Sequence, residues 1–378
     1  MIYLDNNATT QVAPEVREAM LPFLDEMYAN PSSTHGFGRN IRDRVEQARE
    51  EVAAALACRS SEIVFTSGGT ESINTAIRGV IPWRRGKTQV LTMTVEHPAV
   101  LETCARLQQE GMNVINLDVD RDGLLDLDLF RESLNDQTAL VTVMLANNET
   151  GVLFPVEEMA QIAKEKGVLF HCDAIQGIGK ISVSLAESAI DILSFSGHKF
   201  HAPKGIGGLY IRRGVRIASL LAGGGQEKNR RAGTEAVPNI IGLGTAARLA
   251  MNSLNEAEDR MRNLRNTLEE GILTAVSNAM LNGHKERRLP NTSNISFLGA
   301  EGELIVAGLS EHGVCASSGS ACAGLKSGPS HVLKAMGRTD EEAIGSVRFS
   351  LSRYTTAEEI EHVLKVLPGV VESVRNLH

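Results

Sequence analysis

The chain has 378 residues, of which 42% are hydrophobic and 22% charged, and its formal net charge at pH 7 is −8. This balance is typical of a globular protein with a large core rather than of a disordered chain, and the length favours two domains. The negative charge argues against a broad basic surface, so we expect no nucleic-acid partner.

The cysteines and the first residues both favour a reducing compartment. Five cysteines stand at positions 58, 104, 172, 315 and 322, an odd number without a CxxC pair, which is typical of free thiols. The sequence begins MIYLDNNATT, without the apolar core of a signal peptide, and it contains no run of about 18 apolar residues. We therefore predict a cytoplasmic protein with no membrane partner. The histidines and cysteines show no ligand spacing, so we predict no metal site.

The first two thirds of the chain alternate between helical and strand-like patterns. Apolar residues recur at helical spacing over residues 41–57, which predicts an amphipathic helix. Short, β-branched apolar runs separated by helical sequence then follow, and this alternation predicts an α/β domain with a largely parallel sheet. The runs begin at Ile63, Val90, Val114, Leu140, Val168, Ile192 and Leu209.

The last third differs in pattern. Helical sequence over residues 240–278 is long enough to leave one domain and enter another. Thr356 and Glu359 form a capping box that predicts the start of a final helix. Between these helices lie strand-like runs and one further helical stretch, at residues 294–298, 302–312, 314–316 and 347–351.

Polar residues follow five of the predicted strands at the point where each strand ends. Ligands of open α/β sheets bind outside the carboxyl ends of the strands, so we expect these segments to converge on one small-molecule site. The alternative is that they are ordinary polar loops. The five segments are residues 66–71, 96–98, 147–151, 173–176 and 197–199.

Lys199 lies between the last two apolar runs, in the segment SFSGHKFHAPKGIGG, a pattern that predicts a strand, an exposed turn and a second strand. A lysine at a strand end can be desolvated, lose its proton and attack a carbonyl. The alternative is an ordinary solvated lysine.

Three further features are each ambiguous alone. The turn Ser67-Gly-Gly-Thr70 lies between a strand and a helix, where backbone N–H groups can bind phosphate, although Gly-Gly is also common turn chemistry. Ser196 and His198 offer further phosphate donors. Asp173 ends a buried strand and either caps the next helix or pairs with a buried cation. Together with a lysine for a carbonyl and a histidine that can lie against a ring, this set is what pyridoxal phosphate requires.

Cys322 lies in the small-residue segment ASSGSACAG, which leaves its thiol uncovered. Reactive thiols are partly exposed and structural ones are buried, but the residues alone leave the reactivity of Cys322 open. The other four cysteines are expected to be small core residues.

Nine motifs resemble, in their order along the chain, those of the NifS/IscS-type cysteine desulfurases, which are class V aminotransferase-like enzymes. They are DNNATT, SGGTES, VEHPAV, ANNETG, DAIQ, SFSGHK, RRAGTE, CASSGSAC and VRFSLSRYTT. The resemblance covers essentially the whole chain, and the pairing of SGHK with SSGSAC is highly specific. It implies fold type I of the pyridoxal-phosphate enzymes, the aspartate-aminotransferase-like α/β fold, in a homodimer. The large domain, with a mostly parallel sheet, would span residues 14–255, and residues 1–13 and 256–378 would form a smaller α+β domain carrying the Cys322 loop.

The resemblance also implies roles for individual residues. Lys199 would carry pyridoxal 5′-phosphate, His97 would stack on its ring and move protons, and Cys322 would be the nucleophile. The other cofactor-binding residues would be Gly69, Thr70, Asn148, Asp173, Gln176, Ser196, His198 and, from the neighbouring subunit, Thr234. The substrate would be bound by Arg348, Asn148 and Asn7.

The implied reaction converts L-cysteine to L-alanine and leaves a persulfide on Cys322. The sulfur would pass to an acceptor or scaffold protein for iron–sulfur cluster assembly. An aminotransferase or a selenocysteine lyase on the same cofactor is a second interpretation, and a sulfur-carrier or nucleotide-binding module without the chemistry is a third. A thiol at Cys322 argues against an aminotransferase, and Lys199 with Asp173 argues against a carrier.

Overall fold

The computed structural model describes residues 1–319 and 328–377. Its strands are β1 (Ile2–Tyr3), β2 (Ile63–Thr66), β3 (Gln89–Met93), β4 (Asn113–Leu117), β5 (Thr138–Met144), β6 (Leu169–Asp173), β7 (Ile192–Ser196), β8 (Gly207–Ile211), β9 (Ala279–Asn282), β10 (Thr292–Phe297), β11 (Val314–Cys315), β12 (Ser317–Ser318) and β13 (Ser346–Ser350). Its helices are α1 (Pro14–Met20), α2 (Gly36–Ala55), α3 (Gly69–Val80), α4 (Pro98–Gln109), α5 (Leu127–Ser133), α6 (Val156–Glu165), α7 (Gln226–Asn229), α8 (Val237–Ala275), α9 (Gly302–Glu311), α10 (His331–Ala335), α11 (Asp340–Ile344) and α12 (Ala357–Arg375).

The largest sheet has the strand order β2-β8-β7-β6-β5-β3-β4. Strand β8 is antiparallel to its neighbours β2 and β7, and the other adjacent pairs are parallel. Every residue of β2, β3, β5, β7 and β8 is buried. Strands covered on both faces have continuous rather than alternating apolar sequence, which is why the short apolar runs predicted them correctly. The carboxyl ends of β2, β3, β5, β6 and β7 therefore meet at one edge of the sheet.

A second, antiparallel sheet has the order β12-β13-β10-β9, and β1 pairs with β11 beside it. The 39-residue helix α8 joins the two cores, because Leu243 packs in the cluster of the large sheet and Leu268 in that of the small one. Val332 and Leu333 also pack with the larger cluster, although their numbers fall in the predicted small domain. The domain boundaries stay a prediction.

Two local features differ from the sequence prediction. Helix α2 begins at Gly36 rather than near residue 41, because the His35 side chain accepts a hydrogen bond from the Gly38 N–H and caps it. The turn after β7 is one turn of 3₁₀ helix in which Lys199 is half-buried rather than exposed. A Cβ on Gly197 in this turn would lie 2.9 Å from the side chains of Ala202 and Leu243, so tertiary packing closes it. The predicted capping box of α12 is confirmed.

Within the described residues, no helix is both long enough and apolar enough to cross a membrane.

His171 lies in the middle of β6 and makes the stability of the large sheet depend on pH. Its Nδ1 is 2.8 Å from Thr142 Oγ1 and its Nε2 is 2.9 Å from Ser194 Oγ. Burial lowers the pKa of His171 from 6.5 to about 3. The folded chain therefore keeps this ring neutral, whereas the unfolded chain takes up a proton as the pH falls below 6.5. The stabilisation from neutral His171 is present above pH 6.5 and is lost as the pH falls towards 3.

Replacing His171 with asparagine should lower the free energy of unfolding by about 1–3 kcal/mol at pH 7.5, because two buried hydroxyls lose their partner. The difference from wild type should shrink when urea unfolding of the cofactor-free protein is repeated at pH 5. As a control, His362→Asn changes an exposed ring of α12 and should have little effect at either pH. If the difference in unfolding free energy between wild type and His171→Asn is the same at both pH values, His171 is not the source of the pH dependence.

Candidate active site

The carboxyl ends of the parallel strands surround a cavity of about 320 Å³. Residues from all five polar segments line it, together with Asn7 and Ala8 of the N-terminal segment. The residues predicted for the site that line this cavity are Asn7, Gly69, Thr70, His97, Asn148, Asp173, Gln176, Ser196, His198 and Lys199. The structure therefore brings together residues that are up to 192 positions apart in the chain.

Lys199 is fixed by the N-terminal segment. Its Nζ donates to the backbone carbonyl of Asn7 at 2.6 Å and to that of Ala8 at 2.7 Å. The Thr10 N–H donates in turn to the His198 carbonyl at 2.9 Å. Residues 7–10 thus hold the lysine amine in the wall of the cavity.

Asp173 places a carboxylate at the base of the cavity. Its Oδ1 accepts a hydrogen bond from the Ile175 N–H at 3.0 Å, within a turn and not at the start of a helix. Burial raises the pKa of Asp173 to about 6, against the opposing effects of this hydrogen bond and of the Lys199 charge. Most of the carboxyl is therefore ionised at pH 7, and a cation bound in the cavity would lower its pKa further.

His97 caps the N-terminus of α4. Its Nδ1 accepts a hydrogen bond from the Ala99 N–H at 3.1 Å, so the neutral ring carries its proton on Nε2. Burial, followed by the charges of Lys199 and His331, lowers the pKa of His97 to about 4. The ring is therefore neutral at pH 7, with an N–H available for donation.

The turn before α3 packs its backbone against the cavity. Gly68 has a φ of 151°, and a Cβ on Gly69 would lie 2.3 Å from Ile175 Cδ1. A side chain at position 69 would have to displace the end of the Ile175 side chain, so glycine lets the start of α3 lie close to Ile175 and Ser196. The first N–H groups of this helix, with the hydroxyls of Thr70 and Ser196, form a donor set suited to a phosphate.

His198 lies at the same end of the cavity. Its Nδ1 is 3.1 Å from Thr9 Oγ1, and burial, followed by the charge of Lys199, lowers the pKa of His198 to about 4. The ring is therefore neutral at pH 7, so it can donate one hydrogen bond without adding a positive charge.

Arg348 lies on β13, just behind the cavity. Its Nη1 donates to the Asn148 carbonyl at 3.0 Å, and its Nη2 donates to Asp5 Oδ1 at 2.7 Å. The Asn7 side chain donates to the same Asn148 carbonyl at 3.2 Å and to Thr292 Oγ1 at 2.9 Å. Asn7 and Arg348 therefore hold the same stretch of backbone at the border between the two sheets.

Residues 2–363 match the aminotransferase class-V family. The chain belongs to this family. It is 52% identical over 377 residues to a cysteine desulfurase of Trichormus azollae, covering 100% of this chain and 94% of that protein. It is 49% identical over 377 residues to cysteine desulfurase NifS of Azotobacter vinelandii, again covering 100% and 94%. A solved structure described as a NifS-like protein matches with a TM-score of 0.93 and 40% identity, covering 98% of this chain and 99% of that one.

The predicted resemblance to NifS-type cysteine desulfurases is therefore confirmed, as is the α/β fold of type I. This class-V chain is a cysteine desulfurase.

Among the described residues, two that were predicted for the site, Thr234 and Arg348, do not line the cavity. Thr234 is exposed and does not line it within one chain. Cys322 lies outside the described residues. The residues flanking the undescribed segment lie at the Arg348 end of the site: Ser317 pairs with Arg348 across β12 and β13, and Ser330 Oγ donates to the buried carboxylate of Glu149.

Sequence reasoning missed two charged residues next to the cavity. Asp5 pairs with Arg348, and Lys180 is buried beside Gln176 with 4% of its surface exposed. A signal for Lys180 was present, since it lies in the apolar stretch GIGKISV four residues after Gln176. Asp5 likewise follows an apolar stretch, IYL at residues 2–4, which begins with β1.

Proposed function

We propose that this chain uses pyridoxal phosphate to convert L-cysteine to L-alanine, and that it leaves the sulfur as a persulfide on Cys322 for transfer to acceptors of iron–sulfur cluster assembly. The observation that carries the proposal is the placement of Lys199 and Asp173 in one cavity with the N-terminus of α3. A reactive amine, a buried carboxylate and a phosphate-binding helix end together match the aldehyde, the ring nitrogen and the phosphate of this cofactor.

The residues present fit the cofactor. Lys199 would hold it covalently, Asp173 would pair with its ring nitrogen, and His97 would cover its ring. Its phosphate would be held by Gly69, Thr70, Ser196 and His198, and Gln176 and Asn148 would complete the binding set. When bound, the cofactor supplies an electron sink for the substrate α-carbon.

The chain's own residues would then bind the substrate and move its protons. Arg348 would bind the L-cysteine carboxylate through its guanidinium, which Asp5 holds in place at 2.7 Å. Lys199 Nζ would remove the α-proton, because it is the amine in the cavity wall. His97, neutral and protonated on Nε2, would donate a proton from that atom to the reacting substrate.

The sulfur step balances without an external oxidant. The Cys322 thiolate would attack the L-cysteine sulfur, forming an S–S bond while the Cβ–S bond breaks. The electron pair of the broken bond stays with the carbon side, and Cβ takes up a proton to become the alanine methyl group. One L-cysteine and one enzyme thiol therefore give one L-alanine and one enzyme persulfide.

A homodimer in the cytoplasm is part of the proposal. Thr234 is exposed on the single chain, and Arg231 of the same loop pairs with Glu71 in the first turn of α3 at 2.9 Å. The loop that carries Thr234 thus lies beside the phosphate-binding helix, where a second copy could exchange contacts with it. The acceptor of the persulfide sulfur would be a separate protein.

Purified protein reconstituted with pyridoxal phosphate should release L-alanine from L-cysteine, with one sulfide for each alanine in the presence of a thiol reductant. Both products should be measured over many turnovers under anaerobic conditions. A keto acid in place of alanine would identify an aminotransferase instead. Cofactor binding without any product would favour a carrier that has kept the fold.

A further inference from the structure

Lys180 is a buried amine for which the proposed reaction has no use. It ends the turn after β6, and its Nζ donates to Gln176 Oε1 at 2.6 Å and to Asn7 Oδ1 at 3.2 Å. Both acceptors are uncharged amide oxygens. Among the described residues, no carboxylate forms an ion pair with it. A lysine is rarely buried this completely without a carboxylate.

The surroundings of Lys180 favour its neutral form. Burial lowers the pKa of Lys180 well below its ordinary value, and the positive charges of Lys199 and Arg348 lower it further. Lys180 also lines a second, smaller cavity, together with His201 and Arg353. A neutral amine has two N–H donors, and the two amide oxygens match them.

These contacts fix which way the Gln176 amide points. Its Oε1 accepts from Lys180, and its Nε2 donates to the Asn7 carbonyl at 3.0 Å. That carbonyl also accepts from Lys199 Nζ at 2.6 Å. A reversed amide would turn its Oε1 towards the Asn7 carbonyl, so that two acceptors face each other, and would leave the Lys180 N–H without its Gln176 acceptor. The Gln176 Nε2 has two N–H groups, and one of them donates to the Asn7 carbonyl. The second N–H can therefore donate to a molecule bound in the cavity that Gln176 lines.

We propose that Lys180 is a positioning residue that acts through Gln176: its Nζ locks the amide so that Gln176 always offers an N–H donor, and never a carbonyl, to the bound cofactor. This inference rests on the proposed function, since it assigns pyridoxal phosphate to the cavity. Lys180 itself does not line that cavity.

The test is a double-mutant cycle on cofactor binding to the cofactor-free protein. Lys180→Met keeps the length of the side chain and removes both donors, and it should raise the apparent dissociation constant for pyridoxal phosphate about tenfold. In a Gln176→Ala background, Lys180→Met should have no further effect, because the amide through which it acts is already gone. Lys180→Gln keeps an N–H donor and should restore part of the affinity.

Cofactor binding is measured by absorbance titration, and folding by thermal unfolding of each variant. Lys164→Met, at an exposed lysine of α6, is the matched control and should bind like wild type. Equal affinity of wild type and Lys180→Met, or an equal loss in both backgrounds, would overturn the inference. If Lys180→Met does not fold, the same cycle is run with Lys180→Leu, which also removes both donors, and the same two outcomes decide. Failure of wild type itself to bind the cofactor would refute the proposed function instead.

Discussion

Replacing Lys199 with alanine is expected to lower the turnover of L-cysteine by roughly 10³-fold or more, because the variant loses both the covalent anchor and the base. The amine is held by two backbone carbonyls, those of Asn7 and Ala8, and its charge acts on Asp173, His97 and His198. Among the described residues, no other that lines the cavity carries a side-chain amine.

Two measurements separate these roles. Alanine formation over many turnovers reports the whole reaction. Dialysis reports the anchor, because the cofactor should leave Lys199→Ala while wild type retains it. Lys204→Ala, at an exposed lysine five residues further along, is the matched control and should keep both properties. Multiple turnover of Lys199→Ala at more than about a tenth of the wild-type rate would exclude Lys199 as the base, since the loss of a general base typically costs 10²–10⁴-fold.

A second effect of Lys199→Ala follows from electrostatics. The positive charge of Lys199 helps to lower the pKa of His97 and of His198, after burial as the largest cause. It also helps to lower the pKa of Asp173, against burial. In the cofactor-free variant all three pKa values should therefore move upwards. NMR titration of the two histidines would detect this shift without any turnover.

The strands and their polar ends could be predicted from sequence because the signal for them is local. A strand buried on both faces must be apolar throughout, and short apolar runs located the first residue of each of the seven strands of the large sheet to within about two residues, although the edge strand β4 is only partly buried. The order of the strands in the sheet depends on which distant segments pair, so no local sequence pattern could predict that order. The alternation with helices predicted a largely parallel sheet, and with it the convergence of the polar ends, but it did not give the direction of each strand, and β8 is antiparallel to both its neighbours.

The residues that were missed are those whose burial depends on distant contacts. Lys180 is bonded to Asn7, which lies 173 residues earlier in the chain, and the turn at Gly197 is closed by Leu243 of α8. From the local sequence alone, a lysine or a turn is expected to be exposed. The N-terminal segment was recognised only by its resemblance to a motif, yet residues 5–10 contact Arg348, Lys180, Lys199 and His198. These contacts of the N-terminal segment with residues of both sheets are visible in the structure but not in the sequence.

Replacing Cys322 with serine is expected to lower the release of sulfide from L-cysteine by roughly 10²-fold or more, since a serine hydroxyl cannot replace a thiolate that attacks sulfur. Three of the other cysteines are poor candidates for this role. Burial raises the pKa of Cys58 and of Cys104 to about 12 and raises that of Cys172 well above its ordinary value, so these three remain thiols at neutral pH. Ser317, which precedes the segment of Cys322, pairs with Arg348, where the substrate carboxylate would bind.

The decisive readout for Cys322 is the mass of the protein after one anaerobic treatment with L-cysteine in the absence of reductant. Wild type should gain one sulfur atom on the peptide that contains Cys322, and Cys322→Ser should gain none. Cys58→Ser is the matched control, because it removes a half-buried thiol away from the cavity and should leave both sulfur loading and alanine release unchanged. Cys322→Ser should still bind the cofactor, because Lys199 and Asp173 are intact. A variant that binds the cofactor and releases alanine at the wild-type rate would show that L-cysteine loses its sulfur without this thiol, and the sulfur step would then have to be assigned to another group.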